Sequence, residues 1–94
     1  MTEDIIDYGI DRQFLKQLAC KKCIKRVLLI GSQTDNKLWY SVKVELKTSS
    51  ASHYVASKSG ERRVWAIADN AIDFLIKLGI SEINVIFVKE ARDE

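Results

Sequence analysis

The sequence predicts an α+β protein in which one antiparallel sheet of about five strands carries two helices on one face. Two segments place apolar residues at helical spacing, others alternate apolar and polar residues as strands do, and polar turns separate them. The predicted order is α-β-β-β-β-α-β. With 94 residues, no proline and four glycines, the chain predicts a single domain, 1–94, with short turns. Residues 1–10 are expected to form an acidic lead-in, and residues 89–94 a frayed tail.

Both predicted helices have recognisable ends. The carboxylate of Asp11 can accept a hydrogen bond from a free amide of a first turn, which predicts a helix over 12–23. Its apolar stripe consists of Phe14, Leu15, Leu18 and Ala19. Asp69 is expected to cap a second helix over 70–78, and Gly79 is expected to follow its last turn. The side of that helix facing the sheet would carry Ala71, Ile72, Leu75 and Leu78, with Ile76 at its margin.

The predicted strands cover 24–32, 38–48, 53–57, 62–67 and 80–88. A turn is expected over 31–37, and a tight hairpin turn over 58–61, where Gly60 can adopt a positive φ. Segment 38–48 alternates most clearly: one side carries Leu38, Tyr40, Val42, Val44 and Leu46, and the other carries Trp39, Ser41, Lys43, Glu45 and Lys47. The last strand is apolar on both sides, so we expect it to be covered on both, in part by a second subunit.

Charge is segregated along the chain. Residues 1–11 have a net charge of −4, residues 12–63 of +9 and residues 64–94 of −3, within a total of only +2. A concentrated positive field favours polyanionic partners. This pattern points to a nucleic acid, DNA in the first place and RNA as well, without indicating a base sequence.

Eight residues of the basic segment are the candidates for contacting nucleic acid: Lys25, Arg26, Trp39, Lys43, Lys47, Lys58, Arg62 and Arg63. Lysines beside an aromatic ring can neutralise phosphates while the ring stacks on a base. A hairpin with arginines can reach a groove or a backbone. Two other interpretations stay open: a solvated sheet face with ordinary lysines, and basic residues that complement the negative end of the first helix.

A second copy of the chain is the other expected partner. A domain of this size buries a modest core, which a dimer would supplement. Trp65 is expected either in the core or at the dimer interface, since aromatic residues are enriched in subunit contacts. Val85 and Phe87 on the last strand are the other expected interface residues.

Metal binding and catalysis are not predicted. Cys20 and Cys23 form a CxxC, but with His53 they give three ligands where a structural zinc site needs four. The motif also closes a helix, so we expect two semi-buried thiols. His53 has no evident Ser or Cys partner, which leaves a nuclease using His53 and a carboxylate as a minor alternative. We expect no cofactor, no small-molecule substrate and no enzymatic activity, since a phosphate-binding glycine loop is also missing.

The chain start lacks the basic and apolar regions of a signal peptide. Its apolar runs fall far short of the about 20 residues needed to cross a bilayer. We therefore expect a soluble, cytoplasmic protein with no membrane partner and with reduced cysteines.

One stretch resembles a known family. The segment 54–65, Tyr-Val-Ala-Ser-Lys-Ser-Gly-Glu-Arg-Arg-Val-Trp, is followed by Asp69-Asn70-Ala71 and by Leu78-Gly79-Ile80. This third of the chain resembles small plasmid-encoded bacterial proteins associated with partition and nucleoid binding. The resemblance implies a homodimeric DNA-binding protein with Arg62 and Arg63 as contacts. The family form has Arg-Gly at the hairpin tip, where this chain has Ser59-Gly60.

Together these observations predict a homodimeric, largely sequence-nonspecific DNA-binding protein, nucleoid-associated or accessory to plasmid partition. The alternative is a protein-interaction module, an inhibitor or assembly adaptor, whose acidic ends and basic middle dock on a partner.

Overall fold

The computed structural model describes residues 9–48 and 50–88 and confirms the α+β class. Its elements are α1 (Arg12–Cys20), β1 (Ile24–Thr34), β2 (Lys37–Leu46), β3 (Ser52–Tyr54), α2 (Ala68–Lys77) and β4 (Asn84–Val88). Most of the predicted lead-in and all of the predicted tail lie outside the described residues. Neither α1 nor α2, nor any other helix within those ranges, has the length and apolar content to cross a membrane.

The sheet has four strands in the order β3-β2-β1-β4. β2 is antiparallel to both β1 and β3, whereas β4 runs parallel to β1. The prediction of a wholly antiparallel, five-stranded sheet is therefore wrong. The cause is the connection through α2, which returns the chain to the end of the sheet where β1 begins, so that β4 must start there and run alongside β1.

The predicted strand over 62–67 is reduced to two isolated bridges. Arg62 bridges to Ala56, and Trp65 exchanges two backbone hydrogen bonds of 2.8 Å with Tyr40. The turn between 57 and 61 forms as predicted: the Ser57 N–H donates to the Glu61 carbonyl at 2.8 Å, and Gly60 has φ +91°. This hairpin folds back over the end of β3 instead of adding a full strand.

The β1–β2 hairpin is tighter than the predicted turn over 31–37. Only Asp35 and Asn36 turn, with φ of 52° and 65°, as in the two-residue type I′ turn that matches strand twist. Gly31 belongs to β1 because the ring of Phe87 lies on it. A Cβ at position 31 would stand 2.8 Å from Cδ1 of Phe87.

α1 begins as predicted but ends earlier. The Asp11 carboxylate accepts a 2.8 Å hydrogen bond from the Phe14 N–H, which confirms the cap. The helix ends at Cys20 because Lys22 turns left-handed, with φ +57°. The Cys23 N–H then donates to the Leu18 carbonyl and the Lys22 N–H to the Ala19 carbonyl, a Schellman ending.

α2 ends in the same motif but begins differently from the prediction. Gly79 has φ +91°, and the Ile80 N–H donates to the Leu75 carbonyl. At the other end the capping position is Ile67, whose side chain makes no capping bond. Asp69 lies inside the first turn, so its prediction as the cap is wrong. Its carboxylate still lies near the positive end of the helix, where it is favoured.

The core lies between the two helices and one face of the sheet. Its most deeply buried side chains are Leu15, Val27, Leu29, Val42, Val44, Val55 and Leu75. Trp65 is 8% exposed, and its ring centroid is 5.2 Å from that of Phe74. The sequence left the core and a dimer interface open for this tryptophan, and the structure places it in the core. Ile10, 2% exposed, extends the core by pairing with the backbone beyond β3.

β4 was expected to be covered on both sides, in part by a second subunit, and the described residues of the chain itself leave it exposed. Val85, Ile86, Phe87 and Val88 are 52%, 42%, 65% and 49% exposed, and the strand starts at Asn84 instead of residue 80. Within the described residues, no strand pairs with its outer edge. Four consecutive apolar side chains are thus left facing solvent on both sides of an edge strand.

Candidate nucleic-acid interface

The side of the sheet turned away from the core carries four of the eight predicted contact residues: Arg26, Trp39, Lys43 and Arg62. The register places its members side by side: Arg26, Leu28, Ile30 and Ser32 on β1, Trp39, Ser41, Lys43 and Glu45 on β2, Tyr54 on β3, and Asn84, Ile86 and Val88 on β4. We call this side the open face. The buried cluster that includes both helices draws its sheet residues from the opposite side, among them Val27, Leu29, Val42 and Val44. The alternation read from β2 is confirmed by this division.

Two cations meet at one ring on the open face. The Lys43 Nζ lies 4.8 Å and the Arg62 Cζ 3.6 Å from the ring centroid of Tyr54. Lys43 is opposite Tyr54 in the β2–β3 register, and the bridge between Ala56 and Arg62 brings the arginine back over β3. Each cation–π contact contributes about 0.5–1 kcal/mol at an exposed site. The two positive charges are therefore held in place, 19 residues apart in the sequence.

The ion pairs of the described residues leave these two cations out. Among the described residues, neither Lys43 nor Arg62 forms an ion pair with a carboxylate. Arg26 differs, because its Nε donates to Glu45 Oε1 at 3.0 Å. That pair is partly exposed, so its contribution to stability is below about 1 kcal/mol, but it reduces the positive potential at its end of the face.

Arg62 and Arg63, adjacent in sequence, lie on opposite sides of the sheet. The Arg63 Cζ lies 4.9 Å from the ring centroid of Trp65 and 4.8 Å from that of Phe74. Arg63 is only partly exposed and covers the aromatic pair beside α2. Its position supports a packing role, while Arg62 remains with the open face.

The other predicted contacts are spread more widely. Trp39 is at the far end of the open face, 38% exposed, with the Lys37 Nζ 5.9 Å from its ring centroid. Lys58 is exposed in the hairpin turn. Lys25 and Lys47 lie at the opposite end of the sheet, where they line a cleft with Arg26. Lys47 follows the end of β2, and its N–H donates to the Cys23 carbonyl at 2.9 Å.

The groups considered for other chemistry remain dispersed. Cys20 is exposed, Cys23 is partly buried, and both are free thiols. His53 faces the covered side of the sheet, beside a small cavity lined by Phe14 and Leu46. No group of three or more His, Cys, Asp or Glu residues within 9–48 and 50–88 could hold a metal ion.

The sequence reasoning missed two residues, Tyr54 on the open face and Lys22 in the cleft. Tyr54 is the ring that orders Lys43 and Arg62, and its position opposite Lys43 depends on the β2–β3 register. Lys22 lines the cleft with Lys25 and Lys47. Lys22 could have been found from the basic run Lys21-Lys22-Cys23-Ile24-Lys25-Arg26. The positive charge of that run was also explained by its favourable position at the negative end of the first helix.

Comparisons with protein-family models, with curated proteins and with solved structures found no match to this chain.

Proposed function

We propose that the protein binds DNA through the open face and the adjoining hairpin, largely without base-sequence preference. The observation that carries this proposal is the arrangement around Tyr54, where Lys43 and Arg62 are fixed on a face that no described helix covers. Two cations that contact one ring, and that form no ion pair among the described residues, suit the phosphates of a nucleic acid backbone. Arg26, Lys58 and the basic end of the sheet extend the same positive area.

The surroundings of Tyr54 and Trp39 indicate whether DNA is contacted at its phosphates or its bases. Tyr54 is already in contact with two side chains of its own chain, which favours phosphate contacts over base stacking at that position. Trp39 is the aromatic ring on this face with the larger free surface. Contacts made mainly to phosphates position a protein without reading base sequence, and this supports binding to many DNA sites.

A homodimer is part of the proposal. The outer edge of β4 could pair with the same strand of a second copy, extending the sheet and burying Val85 and Phe87. Edge strands are normally protected by charges, prolines or bulges, and the five described residues of β4 contain no charged residue and no proline. Dimerisation would double the positive area. Together with the family resemblance, this supports a cytoplasmic, nucleoid-associated or plasmid-partition accessory role.

The test is a gel shift with random duplex probes over a salt series. Because each phosphate contact releases counterions, affinity should fall steeply with salt, by about 10³-fold between 50 and 200 mM if six contacts form. The double substitution Lys43→Ala/Arg62→Ala should weaken binding at least about tenfold on every probe.

The matched control is Lys16→Ala/Lys77→Ala, which removes the same charge from exposed helix positions outside the open face. Circular dichroism of both variants checks that the fold persists. Equal losses in the two variants, or a flat salt dependence, would contradict specific use of the open face.

The exposed apolar residues of β4 also favour the second candidate, a protein-interaction module. Light scattering separates the two. Under the DNA-binding proposal the wild type is a dimer and Phe87→Glu is a monomer with weaker DNA binding. A wild-type monomer that binds no DNA, but whose β4 is protected by a defined protein partner, would favour the interaction module.

A further inference from the structure

A cleft at one end of the sheet brings together several cations, of which only Arg26 belongs to the open face. It has a volume of about 290 Å³ and lies where α1 ends, where β1 begins and where the loop after α2 passes. Four basic residues line it: Lys22, Lys25, Arg26 and Lys47. Three of them lie within residues 22–26 and Lys47 follows β2, so folding brings two separate parts of the chain together. Ser81 and Asn84 add hydrogen-bonding side chains to the lining.

Helix-end charge does not account for all four cations. Both helices end at this cleft, and each helix C-terminus is equivalent to about half a negative charge. Glu82 also lines the cleft, and Arg26 is paired with Glu45. Setting these negative charges against the four cations leaves an excess of about one positive charge in the cleft. An anion entering the cleft would meet that excess together with the hydrogen-bond donors of the cations.

The backbone at Lys22 supplies an independent indication. Lys22 and Gly79 occupy the same left-handed position after α1 and α2, with φ of +57° and +91°. Glycine is the usual residue there because it has no Cβ to clash, and α2 follows that rule. α1 carries a lysine instead, and this residue lines the cleft. Sequences depart from local preference at functional sites, which suggests that the charge at position 22 is needed.

We propose that this cleft binds a compact oligophosphate, either a free anion such as pyrophosphate or the terminal phosphate groups of a nucleic acid. The cleft is at the small end of the range for ligand sites, which fits a phosphate group and its immediate neighbour better than a larger ligand. Lysine ammonium groups bind phosphate as mobile point charges, and three of the four lining cations are lysines. The inference goes beyond the proposed DNA binding and does not depend on it.

The experiment is a calorimetric titration of the full chain with pyrophosphate in metal-free, low-salt buffer. Wild-type protein should bind saturably with one site per chain. Lys22→Gly should weaken binding while raising the thermal midpoint, because it removes the cation and relaxes the backbone. Lys22→Gly/Lys47→Ala should weaken binding at least about tenfold, since two charge-assisted contacts are lost.

Two controls distinguish this site from the open face. Lys16→Ala/Lys77→Ala removes the same charge elsewhere and should retain wild-type affinity for pyrophosphate. Lys43→Ala/Arg62→Ala should retain it as well, so that failure of the DNA proposal leaves this measurement intact. No saturable binding by the wild type, or equal weakening in Lys16→Ala/Lys77→Ala, would overturn the inference.

The source of the phosphate is resolved by comparing 5′-phosphorylated and 5′-hydroxyl forms of one oligonucleotide. A preference for the phosphorylated form that disappears in Lys22→Gly/Lys47→Ala assigns the cleft to nucleic acid ends. Equal affinity for the two forms, beside saturable pyrophosphate binding, assigns it to a free oligophosphate.

Discussion

The two faces of the sheet use the same strands for different purposes. On the covered face, Val42 and Val44 are fully buried beneath the helices. On the open face, their neighbour Lys43 reaches the ring of Tyr54 and stays accessible. Under the proposed function, alternation assigns stability to one side of each strand and DNA binding to the other. Substitutions on the two faces should therefore affect different measurements.

The largest expected effect is on the covered side. Leu75 is fully buried and its neighbour Ile76 is 58% exposed. Leu75→Ala should lower the free energy of unfolding by about 2–5 kcal/mol, because it removes buried methyl groups and leaves a cavity. Urea denaturation monitored by tryptophan fluorescence measures this change.

Ile76→Ala is the matched control and should cost less than about 1 kcal/mol, since most of its side chain is already in solvent. DNA affinity per folded molecule should be unchanged in both variants. Similar destabilisation by the two substitutions would mean that α2 is not packed through the face described.

The adjacent residues Arg62 and Arg63 test the difference between the two faces of the sheet most directly. Arg63→Ala should lower the free energy of unfolding by about 1–2 kcal/mol, because two aromatic contacts and the cover over Trp65 and Phe74 are lost. Arg62→Ala should cost less than about 1 kcal/mol, since its contact with Tyr54 is at an exposed site.

DNA binding should show the reverse order, with Arg62→Ala giving the greater loss of affinity. Denaturation and gel shifts on the two purified variants provide both readings. If Arg63→Ala weakened DNA binding more while leaving stability intact, the division of roles between the two faces would be wrong.

The smallest expected change in the free energy of unfolding comes from substituting Glu45, the glutamate of the open face. Glu45→Gln removes the charge partner of Arg26, and a partly exposed ion pair contributes less than about 1 kcal/mol. Affinity for DNA should rise several-fold and the salt dependence should become steeper, because Arg26 becomes available to a phosphate. A parallel salt series with Asp73→Asn, which breaks an exposed pair on α2 instead, provides the reference.

Much of the fold could be predicted because its signals are local. The Asp11 cap, the left-handed glycines at 60 and 79, the alternation in β2 and the apolar stripe of α2 each depend on a few neighbouring residues. The errors arise where distant segments decide. The length of α1 depended on Lys22 adopting a conformation that favours glycine. The extent of the turn between β1 and β2 depended on the contact of Phe87 with Gly31.

The candidate site was predictable only as a list of cations. Position in the sequence grouped Arg62 with Arg63 and Lys43 with Lys47, whereas the structure groups Lys43 with Arg62 and Lys47 with Lys22. Arg63 is directed to the aromatic core instead. These groupings depend on strand register and on one backbone bridge, which pair residues far apart along the chain.

The sequence by itself determined the α+β class, the two faces of β2 and the concentration of positive charge in one segment, because periodicity and charge count are properties of neighbouring residues. Only the tertiary structure decided that β4 runs parallel to β1, that its outer edge is unpaired among the described residues, and which cations share a surface. The physical reason is that a crossover helix and a strand register are set by packing of the whole core, where contacts between distant segments outweigh local preference.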